Sequence, residues 1–330
     1  MQHLSILVPR GLAIVDTIIG SMNLFQMANN YYRKQGFSSE NLFDIDLVGL
    51  SKDTVSYNRV FAVQPTKTID QVQKTSLIIV AGIVGNMDEQ IELNRPFVGW
   101  MKEQRIKHHC EIASLCRGAF LLAETGLMNG KSCATHWLTH DTFKQRFPQV
   151  NLIPEKIISE DNGIYSSGGA YSFLNLLLYL IEKYYGRETA IWCAKVSEIE
   201  FDRLDQNQFV IFNGQKEHAD EEIIAIQEFI EKHYSEKLSI EELAAKMATS
   251  SRNFVRRFKK ATSNTPIEYV QRVRIEVAKK QLESSTMNVH QVMYHCGYND
   301  DKTFRTIFKR YAGLTPLEYR NKYNREMAYA

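Results

Sequence analysis

The 330 residues contain no long apolar run, little net charge and few cysteines. The longest apolar segment, around residues 173–181, is too short and too interrupted to span a bilayer. No basic stretch followed by an apolar run opens the chain, so no export signal is read there. A soluble, cytoplasmic protein without a membrane partner is expected. Cys110, Cys116, Cys133, Cys193 and Cys296 are odd in number and lack paired metal spacing, which speaks for reduced thiols over a disulfide frame. Cys133 and Cys193 stand among apolar neighbours, as core thiols do. His108-His109-Cys110 lines up three ligand types, but consecutive residues on one element point different ways, so no metal is expected. Nothing calls for a cofactor, and low-complexity tracts are absent.

The net charge of +2 hides an asymmetry. Residues 251–330 carry 16 Lys+Arg against 7 Asp+Glu, about +9, which leaves about −7 on residues 1–250. Positive charge gathered at one end predicts salt-sensitive binding to a polyanion.

That end has a repeated local plan. Ser239-Ile-Glu-Glu242 is a capping box, in which the serine accepts from the third helical amide and the glutamate reaches back. Ile240, Leu243, Ala244 and Met247 then fall on one helical face. After a short polar break, a second helix through Thr262 buries Phe254 and Phe258 and shows solvent Arg252, Asn253, Arg256, Arg257, Lys259 and Lys260. About forty residues on, Asn288 caps a helix with Val289, Val292, Met293 and Cys296, and Gly297 supplies the turn. Asp300 caps the next helix, which buries Phe304, Ile307, Phe308 and Tyr311. Pro266 opens a long helix between the two units, where a missing N–H costs nothing. A short helix, a tight turn and a basic helix with a narrow apolar stripe suit insertion into a DNA major groove.

Arg257-Phe258-Lys259-Lys260-Ala261-Thr262, Thr265-Pro266-x-x-Tyr269, Arg272-x-Arg274, Cys296-Gly297-Tyr298, Phe304-x-x-x-Phe308-Lys309 and Gly313-x-Thr315-Pro316-x-x-Tyr319-Arg320 resemble the AraC/XylS family of DNA-binding domains. The resemblance covers roughly residues 220–323. One departure is Ser263-Asn264, where the family usually has glycine; asparagine is expected to take the left-handed turn. The resemblance implies double-stranded DNA as partner. Arg252, Asn253 and Arg256 would face bases, since arginine forks onto guanine and asparagine onto adenine. Val255 would touch a thymine methyl or pack partly in the core. On the second helix Asp301, Lys302, Thr303 and Thr306 take the same face, with Asp301 reading a cytosine amine or capping the helix. Lys259, Lys260, Lys309 and Arg310 would hold phosphates.

The first two hundred residues alternate buried strands and helices. Leu4-Ser-Ile-Leu-Val8, Asp44-Ile-Asp-Leu-Val-Gly49 and Ser76-Leu-Ile-Ile-Val-Ala81 are strand-like, residues 57–63 read as a hairpin, and Pro96 begins a helix. In Glu111-Ile-Ala-Ser-Leu-Cys116-Arg-Gly118-Ala-Phe a strand gives way sharply to a helix, with Cys116 at the elbow. This is an α/β domain with a mostly parallel sheet.

Asp16, Cys116-x-Gly118-Ala-Phe, Leu122-Ala123-x-x-Gly126-Leu127, Thr135-His136-Trp137 and Ser167-Gly168-Gly169 together resemble the PfpI-like, class I glutamine-amidotransferase-like family, in the form fused to AraC-type domains (GlxA-type regulators). The resemblance spans roughly residues 3–195 and implies a flavodoxin-like, mostly parallel sheet sandwiched by helices, ahead of an all-α domain with two helix-turn-helix units. Expected boundaries are 1–204 for the α/β sensor or dimerisation domain, 205–220 for a polar linker with an arm at residues 209–212, and 221–330 for the DNA-binding domain.

Cys116 is the sharpest chemical candidate, its thiolate favoured by the helix start and by Arg117. Asp16, Cys116, Arg117 and His136 are the candidate ligand-pocket residues. Arg117 stands where related enzymes carry a small residue or a histidine; it would bind a carboxylate ligand or pair with Asp16 or Glu111. A nucleophile without a placed base is a poor catalyst. The expectation is therefore a transcription regulator that dimerises through its first domain and takes a small-molecule or redox signal, and not an enzyme. The alternative is a cysteine-dependent hydrolase or hydratase using Cys116, with a DNA-tethering tail.

Overall fold

Five strands whose residues are largely apolar build the centre of the first unit. In the computed structural model, which describes residues 1–201 and 205–324, the chain divides into units of residues 1–206 and 207–330. The expected end of the first domain, residue 204, lies outside the described residues, as do residues 325–330.

The first unit runs β1 (Gln2–Leu7), α1 (Val15–Lys34), β2 (Phe43–Gly49), β3 (Val55–Tyr57), β4 (Phe61–Val63), β5 (Lys67–Thr68), β6 (Leu77–Val80), α2 (Met87–Leu93), α3 (Arg95–His108), β7 (Glu111–Ser114), α4 (Gly118–Ala123), β8 (Ser132–Cys133), α5 (His140–Arg146), β9 (Asn151–Leu152), β10 (Ile158–Asp161), β11 (Ile164–Ser167), α6 (Phe173–Tyr185) and α7 (Arg187–Val196). The main sheet has the order β10-β11-β7-β6-β1-β2-β5, parallel except for the β10–β11 edge. β3 and β4 form the expected hairpin. Period-2 alternation sorts β6 between two cores. Leu77 and Ile79 join Phe25 of α1, Leu176 of α6 and Ala190 of α7; Ile78 and Val80 join Ile91, Phe97, Phe120 and Phe143 of α2 to α5. Both faces are covered, so β6 and β11 are buried at every position. Strand order reverses between β1 and β6, and the loops beyond their carboxyl ends define the crevice in which such sheets bind ligands.

The second unit is helical: α8 (Glu221–Lys232), α9 (Ile240–Lys246), α10 (Ser251–Thr262), α11 (Pro266–Ser284), α12 (Val289–His295), α13 (Asp301–Ala312) and α14 (Pro316–Tyr323). It has two cores along α11. Tyr269 and Val273 close the first with Phe254 and Phe258; Ile275, Ala278 and Leu282 close the second with Phe304 and Phe308. Local chemistry fixes the helix starts. Ser239, Thr265, Asn288 and Thr315 each make a complete capping box, with Glu242, Glu268, Gln291 and Glu318. Arg274 ties the two helix-turn-helix units together, donating to the carbonyls of Tyr234 (2.6 Å), Glu236 (2.8 Å) and Gly297 (2.9 Å).

The polar stretch expected as a linker with an arm is packed at both ends. Gln206 is buried in the first unit. Further on, the backbone of residues 210–214 lies on the second unit, where Lys279 Nζ donates to the Val210 carbonyl (2.5 Å), Phe212 N to Glu276 (3.2 Å) and Tyr269 Oη to the Gly214 carbonyl (2.9 Å). The turn after α10 also differs from expectation: Ser263, with φ 58°, takes the left-handed conformation, not Asn264. Asn264 instead donates from its amide to the Thr262 carbonyl at 2.6 Å, bracing the turn from inside.

Candidate effector pocket and nucleic-acid interface

β7 delivers Cys116 to the crevice, and the residue is held at φ +54°, a strained conformation for a non-glycine side chain. The elbow needs glycine two residues on, because a Cβ at Gly118 would stand 2.5 Å from the Val80 carbonyl oxygen. The Cys116 N–H donates to Ser167 Oγ (3.2 Å), and Thr135 Oγ1 donates to the Cys116 carbonyl (3.0 Å). Thus Cys116 sits between the Thr135-His136 loop and the Ser167-Gly168-Gly169 loop.

Two expectations fail here. The thiolate is not favoured: Cys116 is fully buried, and burial pushes its thiol up despite the Ala170 and Arg117 amides and the Arg117 charge. Nor does Arg117 pair with Asp16 or Glu111. Glu111 is taken by Lys183 (2.6 Å) and Tyr165 (3.2 Å), while Asp16 accepts from Tyr171 Oη (3.3 Å). Among the described residues the Arg117 Nε is a buried donor with no acceptor.

His136 packs against Gly169, where a Cβ would come within 2.5 Å of its ring. Its pKa is pushed down to about 4, first by burial, then by Arg117 and His140. It is therefore neutral at pH 7. Its Nδ1 accepts from the Leu138 N–H (3.1 Å), which puts the proton on Nε2, and a protonated Nε2 is a donor and not a general base. No hydrogen bond joins His136 to Cys116 among the described residues. The site therefore offers unspent donors, Arg117 and His136 Nε2–H, with Asp16 exposed at its rim.

Sequence reasoning missed Gln206. Its amide donates to the carbonyls of Thr135 (3.1 Å), Pro154 (2.9 Å) and Lys156 (3.2 Å), and its Oε1 accepts from Gly169 N (3.4 Å). One side chain thus joins both loops that flank Cys116. A lone glutamine in a polar stretch gives no sequence signal for this.

In the second unit, α10 exposes Arg252, Arg256, Lys259 and Lys260, with Asn253 and Val255 half-buried beside them. Val255 packs at the edge of the first core. Thr249 Oγ1 accepts from Asn253 Nδ2 (2.9 Å), and Asn253 Oδ1 accepts from Arg256 Nη2 (2.7 Å). The arginine is thereby aimed by its neighbour. Arg257, expected free in solvent, is half-buried and bound to Asp220 (2.6 Å) and Glu222 (2.5 Å). On α13, Lys302, Thr303, Thr306, Lys309 and Arg310 are exposed. Asp300, not Asp301, caps the helix, accepting from Thr303 N (2.7 Å). Asp301 is engaged by Arg305, whose Nε donates to its Oδ2 at 2.6 Å, while its Oδ1 has no hydrogen-bond partner among the described residues.

Comparison with known proteins agrees with both units. Residues 26–183 match the DJ-1/PfpI family, and residues 243–322 match a helix-turn-helix domain. The chain is 26% identical to the HTH-type transcriptional regulator ArgR of Pseudomonas aeruginosa, over 71% of this chain and 71% of that one. It is 23% identical to the HTH-type transcriptional regulator GlxA of Rhizobium meliloti, over 64% of this chain and 65% of the other. A solved AraC family transcriptional regulator from Pseudomonas putida superposes with a TM-score of 0.50 at 17% identity, covering 60% of this chain and all of that structure. That likeness speaks for the fold alone. The chain is a DJ-1/PfpI domain fused to an AraC-type helix-turn-helix domain.

Within the DJ-1/PfpI domain the family match takes in Cys116, Arg117 and His136 but begins after Asp16. Within the AraC-type domain it takes in every candidate DNA-facing residue of α10 and α13. No helix among the described residues is long and apolar enough to cross a membrane.

Proposed function

We propose that this protein is a sequence-specific, cytoplasmic transcription regulator of AraC type whose DJ-1/PfpI domain dimerises it and binds an effector without turning it over. The observation that carries the DNA reading is the pair of recognition helices, each seated on the same aromatic base and each presenting cations and short polar groups on its outer face. Two such helices suit successive major-groove segments about one helical turn apart. Arg252, Asn253, Arg256, Lys302, Thr303 and Thr306 are assigned to bases, with Val255 at the groove edge; Lys259, Lys260, Lys309 and Arg310 are assigned to phosphates. The test is binding of genomic DNA fragments by wild type and Arg256→Ala at two salt concentrations. Wild type should select few fragments, and the variant should keep only weak, salt-dependent binding. No selection by either protein overturns the reading.

The effector is an anion of carboxylate type. Arg117 supports this, as a cation with an unspent buried donor beside a neutral imidazole that donates. A panel of small carboxylates screened by thermal shift should contain stabilisers of wild type that leave Arg117→Met unmoved. A panel that moves neither protein overturns the assignment. Dimerisation fails if the solution mass is that of one chain.

The enzyme reading is disfavoured by a buried, protonated thiol and a histidine in the wrong tautomer to act as base. Steady turnover of a carbonyl substrate, abolished in Cys116→Ala, would restore it. The half-buried His136 also sets a pH signature. Its folded pKa of about 4 lies below the unfolded value, so the unfolded chain takes up the proton first as pH falls. Its stabilising contribution is whole above about pH 6.5 and lost progressively down to about pH 4, by about 2 kcal/mol at most after allowing for partial exposure. His136→Asn should flatten that part of the stability profile relative to wild type, measured by denaturant unfolding.

A further inference from the structure

Arg305 was not among the residues expected to face DNA, yet α13 holds it in an unusual way. Its Nε–H donates to Asp301 Oδ2 at 2.6 Å, one turn back on the same helix. Asp301 lies in the first turn of α13, where helix amides favour a carboxylate. Its other oxygen lies 3.6 Å from His290 Nε2 of α12, beyond hydrogen-bond distance, and has no hydrogen-bond partner among the described residues. The carboxylate thus holds the arginine through one oxygen, from the same helix. Nε is the inner donor of the guanidinium. Engaging it leaves both terminal amino groups for a ligand, and among the described residues they make no hydrogen bond. Two parallel N–H donors in one plane match the O6 and N7 acceptors of guanine in the major groove.

Register supports the placement. Counting from the caps Ser250 and Asp300, Arg305 occupies on α13 the position of Val255 on α10, directly after Phe254 and Phe304. Arg256, the next residue on α10, has its counterpart in Thr306, whose hydroxyl donates back to the Lys302 carbonyl at 2.8 Å. The second helix therefore lacks an arginine where the first one has it, and carries one a position earlier, aimed by an acid where the first is aimed by an amide.

We propose that Arg305 is the specificity-determining residue of the second recognition helix, reading one guanine, and that Asp301 is its positioning residue. This rests on the DNA-binding reading above. The test uses the full chain and a duplex enriched from a random pool by wild type, with every base pair of the selected site varied in turn. Wild type should prefer guanine at one position of one half-site by ten-fold or more. Arg305→Ala and Arg305→Lys should both lose that preference, although the lysine variant keeps the charge and the salt slope. Asp301→Asn should weaken the same preference while leaving binding to unrelated duplex equal to or tighter than wild type, because a repelling carboxylate is gone. A uniform loss across all sequences, with the salt slope lowered by about one and lysine as good as arginine, makes Arg305 a phosphate contact and overturns the proposal. Unchanged preference in all three variants makes the pair a surface salt bridge and also overturns it. Failure of wild type to enrich any sequence overturns the regulator reading itself, an outcome separate from either.

Discussion

The two helix-turn-helix units are the same machine below and different machines above. Below, Phe254, Phe258 and Tyr269 of the first repeat as Phe304, Phe308 and Tyr319 of the second, with Phe–Tyr ring centroids 5.4 and 5.5 Å apart, edge to face in both. Thr265-Pro266 and Thr315-Pro316 start equivalent helices with equivalent capping boxes. Above, α10 carries five cations and no acid, whereas α13 carries four cations and Asp301. Core packing and capping allow few solutions, so both copies retain them. The outer face is largely exposed, so packing constrains it little and there the copies are free to differ.

If the aromatic base is truly common, breaking it should cost the same in both copies. Phe254→Ala and Phe304→Ala each empty a fully buried ring site and should each destabilise by about 3–5 kcal/mol. Hydrogen exchange on the full chain should localise the first loss to α9 and α10 and the second to α12 and α13. Costs that differ by more than about 2 kcal/mol would show that one unit leans on the other for its stability.

The turns are the next place where the comparison can break. Counting back from the caps, the second turn is one residue longer than the first: Gly297-Tyr298-Asn299-Asp300 against Ala248-Thr249-Ser250. Both begin left-handed, at φ +79° for Gly297 and +47° for Ala248. A Cβ on Gly297 would be driven into the Ser235 carbonyl, so Gly297→Ala should cost more than backbone strain alone, about 2–3 kcal/mol. Chemical denaturation of the full chain, followed by a probe in the second unit, checks this.

On DNA the difference above should be visible directly. Arg256→Ala should weaken specific binding about ten-fold or more by losing base preference, and Thr306→Ala, at the matching position, only a few-fold, with the salt slope little changed in either. Fluorescence anisotropy across a salt series measures both. Equal effects would erase the division of labour between the helices.

What could be read from the sequence follows the same line between local and distant causes. The caps at Ser239 and Asn288, the Phe254/Phe258 spacing and the elbow at Cys116 are encoded within a few residues of one another, and pattern reasoning finds them. The thiol's protonation at Cys116 depends on how deeply a whole sheet and its loops bury it, which no local pattern reports. Among the described residues Arg117 has no carboxylate partner, and Glu111 is held by Lys183 and Tyr165, dozens of residues away. Gln206 braces two loops that only the completed fold brings together. Asp301–Arg305 is the instructive miss: four-residue spacing on a helix makes that pair legible, but treating Asp301 as a reader or a cap diverted attention from what it holds.

The smallest effect bears on why the first helix-turn-helix tolerates non-glycine residues where the second uses glycine. Ala248 is exposed and left-handed, and Ser263, at φ 58°, matches Gly313 at φ 70° at the end of the recognition helix. A left-handed L-residue costs about 1–2 kcal/mol, while glycine costs about 0.5–1 kcal/mol of extra chain entropy. The two terms oppose, so Ala248→Gly and Ser263→Gly should each stabilise the first helix-turn-helix by under about 1 kcal/mol, a rise of a few degrees in its melting temperature. Asn264 sharpens the second case. By binding the Thr262 carbonyl, it already braces the turn that Ser263 strains, so Ser263→Gly should gain more in an Asn264→Ala background than in wild type. A double-mutant cycle between the two positions reads that coupling. Zero coupling would mean that the strain at Ser263 is relieved by the helix end itself, and that the asparagine is there for another reason.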